Sequence, residues 1–245
     1  MSEANQFKTL AEYYDMLMSG VRYSYWVDYL EEIFIRNNFE PKTVLDVACG
    51  TGNVSQILDE RGYSVTGIDI APDMIEIAKR KEGAVDYRVS DMAELDLPKK
   101  DFDAAVSLFD SVNYVTEPEK VKEAFKRIAG HLKPGGMFIF DVNTVYALAH
   151  KFFDRVGLTD TPRHVWRSSY DYGTRICTVD MTFQVTENGE TAEFKETHIQ
   201  RGHLPEELSM WLCEAGFETL DIFHAYRFRK PTRRSDRLFF VCRKK

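Results

Sequence analysis

The sequence predicts an α/β fold, a doubly wound parallel sheet that carries an antiparallel β insert, and three observations predict it. From Thr43 to Asp141 short apolar runs alternate with amphipathic segments, the pattern of parallel strands covered by helices. A glycine turn, Gly50-Thr51-Gly52, joins the first apolar run to a helical segment, the place where such sheets bind ligands. After Asn143 the period falls to two. Over Ile176 to Val185, residues Cys177, Val179, Met181, Phe183 and Val185 share one face, and Thr178, Asp180, Thr182 and Gln184 the other. With 245 residues, 44% hydrophobic and 13% aromatic, the chain can bury one substantial core with an added subdomain.

Residues 10 to 38 space Tyr14, Leu17, Met18, Tyr25, Trp26, Tyr29, Leu30, Ile33 and Phe34 as two helices joined near Ser19-Gly20. We assign residues 1–40 to a helical cap. Thr43 to Val47 and Ser64 to Asp69 read as strands, and Asp73 to Lys81 as a helix entered through Pro72. Glu117 to His131 is a helix ended by Lys133-Pro134-Gly135-Gly136. Val165 to Tyr170, Ile176 to Val185 and Phe194 to Ile199 are strands of hairpins that turn at Tyr172-Gly173 and Glu187-Asn188-Gly189-Glu190. Glu206 to Ala215 is a helix stopped by Gly216, and Thr219 to Ala225 and Arg237 to Cys242 supply the last strands. The core is thus 41–143 with 204–245, and the insert is 144–203.

Composition narrows the setting. Cys49, Cys177, Cys213 and Cys242 are scattered without metal-ligand spacing, which supports neither zinc nor a disulfide framework. Met1 to Leu10 lacks the apolar core of a signal peptide, and no run reaches membrane-spanning length, so a cytoplasmic protein is expected, monomeric or homodimeric. Residues 227–245 hold nine Lys or Arg against Asp236 alone, while residues 1–226 hold 23 basic and 38 acidic residues. That basic run is either a solvated hairpin or an anion-binding edge for a phosphorylated substrate or RNA; the overall charge of −7 opposes a broad nucleic-acid surface.

The glycine turn differs from a dinucleotide fingerprint in two ways. Ser55 stands where a third glycine would be, and Asp46 at the strand end opposes a pyrophosphate. An ammonium group suits that position, and S-adenosylmethionine brings one with a sulfonium and no phosphate. Asp69 follows Gly50 by 19 positions, close to the ~20 expected of a carboxylate that binds ribose hydroxyls.

On these residues the chain resembles the class I S-adenosylmethionine-dependent methyltransferases, whose sheet is Rossmann-like and seven-stranded. Asp46 to Gly52 resembles their first motif, Asp69 the ribose acid and Ser90-Asp91-Met92 the adenine segment. Phe102 to Phe109 resembles the fourth core strand, and Leu132 to Gly136 the turn before the fifth. The resemblance implies cofactor contacts from Tyr14, Arg22, Trp26, Asp46, Ala48, Gly50, Gly52, Asn53, Asp69, Ile70, Met74, Asp91, Met92, Leu108 and Phe109. Tyr13-Tyr14-Asp15 and Arg22 to Trp26 resemble the start of sugar N,N-dimethyltransferases and of small uncharacterised bacterial methyltransferases. The latter group also shares Asp110 to Tyr114, Phe140-Asp141-Val142, Glu196-Thr197-His198 and Arg237 to Phe240.

Methyl transfer needs in-line placement, exclusion of water and sometimes proton removal, so no dedicated nucleophile is required and no catalytic residue is assigned. The acceptor side is expected from Tyr14, Asp110, Asn113, Tyr114, Asn143, His198 and Arg201. Asp110 can orient or deprotonate an amine or hydroxyl, or else cap a helix. His198 can act as a base near neutral pH, and Arg201 can pair with an anion. The asparagine-proline-proline-aromatic motif of adenine and glutamine methyltransferases is absent. A small-molecule acceptor, an amine of a sugar or metabolite, is therefore expected ahead of RNA, and ahead of a non-catalytic cofactor-binding protein.

Overall fold

The structure, a computed structural model, describes residues 11–157, 163–187 and 190–245. The expected leaderless start (1–10) and the Asn188-Gly189 turn residues lie outside them. The elements run α1 (Ala11–Leu17), α2 (Tyr23–Arg36), β1 (Thr43–Val47), α3 (Asn53–Glu60), β2 (Ser64–Asp69), α4 (Pro72–Lys79), β3 (Asp86–Val89), β4 (Phe102–Ser107), α5 (Ser111–Tyr114), α6 (Pro118–His131), β5 (Leu132–Asn143), α7 (Val145–Ala149), β6 (Arg155–Gly157), β7 (Arg163–Asp171), β8 (Ile176–Glu187), β9 (Glu190–Arg201), α8 (Pro205–Glu214), β10 (Phe217–His224) and β11 (Arg237–Lys244).

Seven strands form one sheet in the order β10-β11-β5-β4-β1-β2-β3. The pairs from β3 to β5 are parallel, whereas β11 runs antiparallel to both β5 and β10. Both faces are apolar because strand residues alternate between two cores. Leu45, Ala105, Phe138, Phe140 and Phe240 join α6 and α8 on one side. Val44, Val106, Met137, Ile139 and Phe239 join α2 and α3 on the other. Phe138 and Phe140 stack at 4.8 Å between centroids and Phe140 on Phe240 at 4.9 Å, which ties β5 to β11 through rings as well as through the ladder.

The fold class agrees with the sequence, and two details differ. Lys133-Pro134-Gly135-Gly136 does not precede the fifth strand but interrupts it: Phe102 pairs with Leu132, and the next pair is Ala104 with Met137. Gly135 takes φ +78°, and a Cβ on Gly136 would meet the Asp103 carbonyl oxygen at 2.9 Å, so the bulge requires both glycines. The second sheet has four strands, β6-β7-β8-β9, where the sequence suggested three. β6 is three residues long, too short to display a period. In that sheet Cys177, Val179, Met181, Phe183 and Val185 are buried, so its inner face is the one the alternation marks.

Phe138 is fully buried between α6, Phe140 and Phe217. Phe138→Ala is expected to lower unfolding stability by roughly 3–5 kcal/mol. Urea denaturation followed by circular dichroism checks this, and a loss below about 1 kcal/mol would contradict the packing.

Candidate functional site

At the carboxyl ends of β1 and β2 the chain turns three times through left-handed backbone, at Ala48 (φ +61°), Gly50 (φ +56°) and Gly52 (φ +79°). Gly52 has a second constraint: a Cβ there would lie 2.3 Å from the Tyr87 hydroxyl oxygen. The turn aims its N–H groups at Asp69, whose carboxylate accepts from Gly50 N (2.8 Å) and Ala71 N (2.9 Å). Burial raises the Asp69 carboxyl above its usual value, and those backbone bonds oppose the rise. Asp46 is 2% exposed and accepts a 2.6 Å bond from the Ser55 hydroxyl. Burial pushes the Asp46 carboxyl up to about 7; Ser55 lowers it and the Asp69 charge raises it. The serine in place of a third glycine is therefore the donor that steadies the acid at the strand end.

The cap is fastened to the same turn. Asp15 of α1 accepts from the Thr51 hydroxyl (2.6 Å) and the Asn53 amide (2.9 Å), and Lys81 lies 2.8 Å from its other oxygen. α1 therefore covers the turn, with Tyr14, Leu17 and Met18 facing a cavity of about 240 Å³.

The opposite wall begins after β4, where Phe109 (φ +65°) and Asp110 (φ +55°) are consecutive left-handed residues. Such backbone costs of order 1–3 kcal/mol per residue and persists where the surroundings determine it. Here Asp141, fully buried on β5, accepts both N–H groups, from Phe109 at 2.6 Å and from Asp110 at 3.1 Å. Arg237 of β11 bridges Asp141 and Asp110, the latter at 2.6 Å. Gln200 of β9 donates to the second Asp110 oxygen at 2.6 Å. Burial opposes the Arg237 charge, but Asp141 and Asp110 more than offset it and hold the guanidinium protonated. Asp110 precedes α5 without capping it, and both its oxygens serve this network.

Beyond it lies a second buried chain. The Tyr114 hydroxyl is 2.9 Å from His198 Nδ1, and His198 Nε2 is 3.1 Å from the Glu196 carboxylate. His198 and Glu196 are 1% and 9% exposed, and Tyr114 and His198 both line the cavity. Burial, then the Asp110 charge, raises the Tyr114 phenol well above its usual value.

The cavity brings together most of the residues singled out from the sequence. Tyr14, Trp26, Asp46, Ala48, Gly50, Asn53, Asp69, Ile70, Met74, Asp91, Met92, Leu108, Phe109, Asp110, Tyr114 and His198 line it. Arg22, Gly52, Asn113, Asn143 and Arg201 do not, each for a physical reason. Arg22 is exposed at the start of α2, and Gly52 packs on Tyr87. Asn113 donates to the carbonyls of Asn143 (3.0 Å) and Arg201 (2.9 Å) and accepts from Asn143 N (2.8 Å), a clamp between α5, β5 and β9. The Asn143 amide donates to Gln200. Sequence reasoning missed Glu196, Gln200, Arg237 and the wall of Phe153, Arg155, Trp166, Val179 and Met181. The Asn-Gly pair between Glu187 and Glu190 held the available signal in the sequence; the register, with Glu187 opposite Glu190, sets Glu196 and His198 opposite Met181 and Val179. The basic run is no uniform edge either: Arg237 is internal, and Arg243 and Lys244 donate to the carbonyls of Asn37 and Leu132. No helix among the described residues is long and apolar enough to cross a membrane.

Asn113→Ala strips the clamp and leaves buried backbone groups unpaired, for an expected loss of about 2–4 kcal/mol. Chemical denaturation of the variant measures it; a loss within about 0.5 kcal/mol of zero would mean that the amide serves something other than the fold.

Comparison with known proteins agrees with this geometry. Residues 44–136 match a family described as a methyltransferase domain. The chain is 33% identical to YqeM of Bacillus subtilis (strain 168), which carries a provisional methyltransferase name, over 97% of each chain. It is 27% identical, over 57% of its own length and 55% of the other, to a dTDP-3-amino-3,6-dideoxy-alpha-D-glucopyranose N,N-dimethyltransferase of Streptomyces fradiae. In structure it matches an S-adenosylmethionine-dependent methyltransferase of Clostridium acetobutylicum ATCC 824 with a TM-score of 0.86 and 25% identity, over 98% of this chain and 99% of that one. A strand-end acid, a second-strand acid and a seven-stranded sheet with an antiparallel edge thus coincide with full-length kinship, and the chain belongs to the S-adenosylmethionine-dependent methyltransferases.

Proposed function

We propose that the enzyme methylates a protic nitrogen or oxygen of a small molecule seated between Tyr114 and the insert strands that carry Trp166, Met181 and His198. The buried Tyr114–His198–Glu196 chain beside the strand-end turn carries this reading. S-adenosylmethionine supplies an activated methyl group when bound, so the protein has to bind, orient and deprotonate.

On the donor side, Asp69 has remaining lone pairs for ribose hydroxyls, Asp91 and Met92 face adenine, and Asp46 attracts the ammonium group. Hydroxyl and amide groups of Tyr14, Thr51 and Asn53 border the same end. On the acceptor side, residues 144–203 form the roof. The Glu196 carboxylate accepts Nε2–H of His198, which leaves Nδ1 to accept from the Tyr114 hydroxyl. As the acceptor atom loses its proton to Tyr114 oxygen, the Tyr114 proton passes to Nδ1, and Glu196 stabilises the imidazolium formed. Asp110 is bound to Arg237 and Gln200, so it shapes the wall rather than taking the proton. The amine of a sugar or metabolite remains compatible with this chemistry, and so does a hydroxyl.

Methyl-labelled S-adenosylmethionine offered with a metabolite panel tests the reading. His198→Ala is expected to lower kcat by about 10²-fold while cofactor affinity stays unchanged; equal loss in cofactor affinity would assign His198 to binding instead. A separate expectation concerns pH. In the free protein Asp46 titrates near 7, and cofactor binding favours its ionised form, so binding must release a proton below that value. Calorimetric affinity for S-adenosylhomocysteine should fall about tenfold per pH unit below 7 and level off above it. Ser55→Ala should shift that midpoint upward, and a flat profile between pH 5 and 8 would remove Asp46 from the ammonium site.

A further inference from the structure

The register of the second sheet lays its residues out in rows. Arg155 pairs with Trp166, Trp166 with Met181 and Met181 with Glu196; in the next row Ser168 pairs with Val179 and Val179 with His198. Directly paired residues project to the same face. One face therefore runs from a guanidinium on β6, across an indole and two apolar side chains, to the Glu196–His198 pair on β9. Arg155, Trp166, Val179, Met181 and His198 all line the cavity. Three strand spacings separate the ends, roughly 14 Å of backbone, with Arg155 exposed at one end and His198 buried at the other, so the span between them suits one ring-sized body.

Charge gives the second argument. Arg237 lines the cavity but lies between two carboxylates, and Lys81 is paired with Asp15. Arg155 has no carboxylate partner among the described residues: its neighbour Asp154 accepts from Ser168 N and Oγ, both at 2.7 Å. Its guanidinium carbon sits 5.3 Å from the Trp166 ring centroid. Stacking of that kind steadies the planar fork while its N–H donors stay available for a carboxylate. Between the two ends Phe153, Val179 and Met181 offer dispersion contacts and no hydrogen bonds, which favours a flat apolar body over a hydroxyl-rich ring.

Resting on the methyl-transfer reading above, we propose that the acceptor is a hydroxy- or amino-aryl carboxylate, or an acid of the same shape. Its ring lies on Trp166 and Met181, its anion on Arg155 and its protic group at Tyr114. Arg155 is then a specificity residue for the acceptor and not a catalytic one.

Calorimetry on the full-length enzyme saturated with S-adenosylhomocysteine tests this, using 3- and 4-hydroxybenzoate, 4-aminobenzoate and 3-(4-hydroxyphenyl)propanoate against their primary amides. Each acid that binds is expected to do so about tenfold or more tightly than its amide. Arg155→Ala should bring the acid down to the amide, and Arg155→Lys should keep part of the preference, with S-adenosylhomocysteine affinity unchanged in both variants. Amides that bind as well as acids, a preference that survives Arg155→Ala, or no acid bound at millimolar concentration would overturn the proposal. Labelled methyl transfer, run in parallel, separates the two readings. Acid preference in binding without methylation of any probe leaves the anion site standing and sinks the acceptor role. Methylation of amides as readily as acids does the reverse.

Discussion

The two left-handed residues after β4 need an acceptor for their N–H groups, and the acceptor that supplies it, Asp141, brings a full negative charge into a site with no water-facing surface. Asp110 adds a second. A buried carboxylate has a desolvation cost of several kcal/mol unless it is both paired and hydrogen-bonded. Arg237 meets that requirement for both acids, and Gln200 completes Asp110 from the insert. Four parts of the chain, β4, β5, β9 and β11, are thereby fixed around one guanidinium. The wall of the cavity opposite the glycine turn inherits its shape from that charge balance.

The donor half of the cavity is legible in the sequence because it is local. Asp46, Gly50 and Asp69 belong to one strand-helix-strand unit, and their spacing alone places them together. The acceptor half is assembled over long separations, with Asp110 meeting Gln200 across 90 residues and Arg237 across 127. No periodicity links such residues. Asn113 and Arg201 show the opposite difficulty: polar residues next to a predicted site look like ligands, yet backbone carbonyls claim the Asn113 amide, and Arg201 offers its own carbonyl to the fold. In β9 the inward side chains are Glu196, His198 and Gln200, so the buried face reads as a solvent face until its partner strand is known. Arg22, expected on the donor side from a resemblance alone, is exposed at the start of α2 and does not line the cavity.

At the glycine turn one residue changes what the strand end presents. A third glycine would let helix and strand approach closely; Ser55 is fully buried in that place and donates to Asp46. The strand end thus carries a hydrogen-bonded acid where a phosphate-binding relative would want positive potential. Asp15 of the cap meets Thr51 and Asn53 on the same turn, so the cover over the cavity is registered directly against the residues that shape its floor.

Because the guanidinium between Asp110 and Asp141 comes from β11, that wall of the cavity is completed by a strand 127 residues downstream of one acid and 96 downstream of the other. Without that guanidinium the two buried carboxylates would face each other with no cation between them. The antiparallel register of β11 on β5, with Arg237 opposite Asn143, is what sets the cation there. The glycine-turn half of the cavity therefore needs only β1, β2 and their helices, whereas the wall opposite it also needs the pairing of β11 with β5.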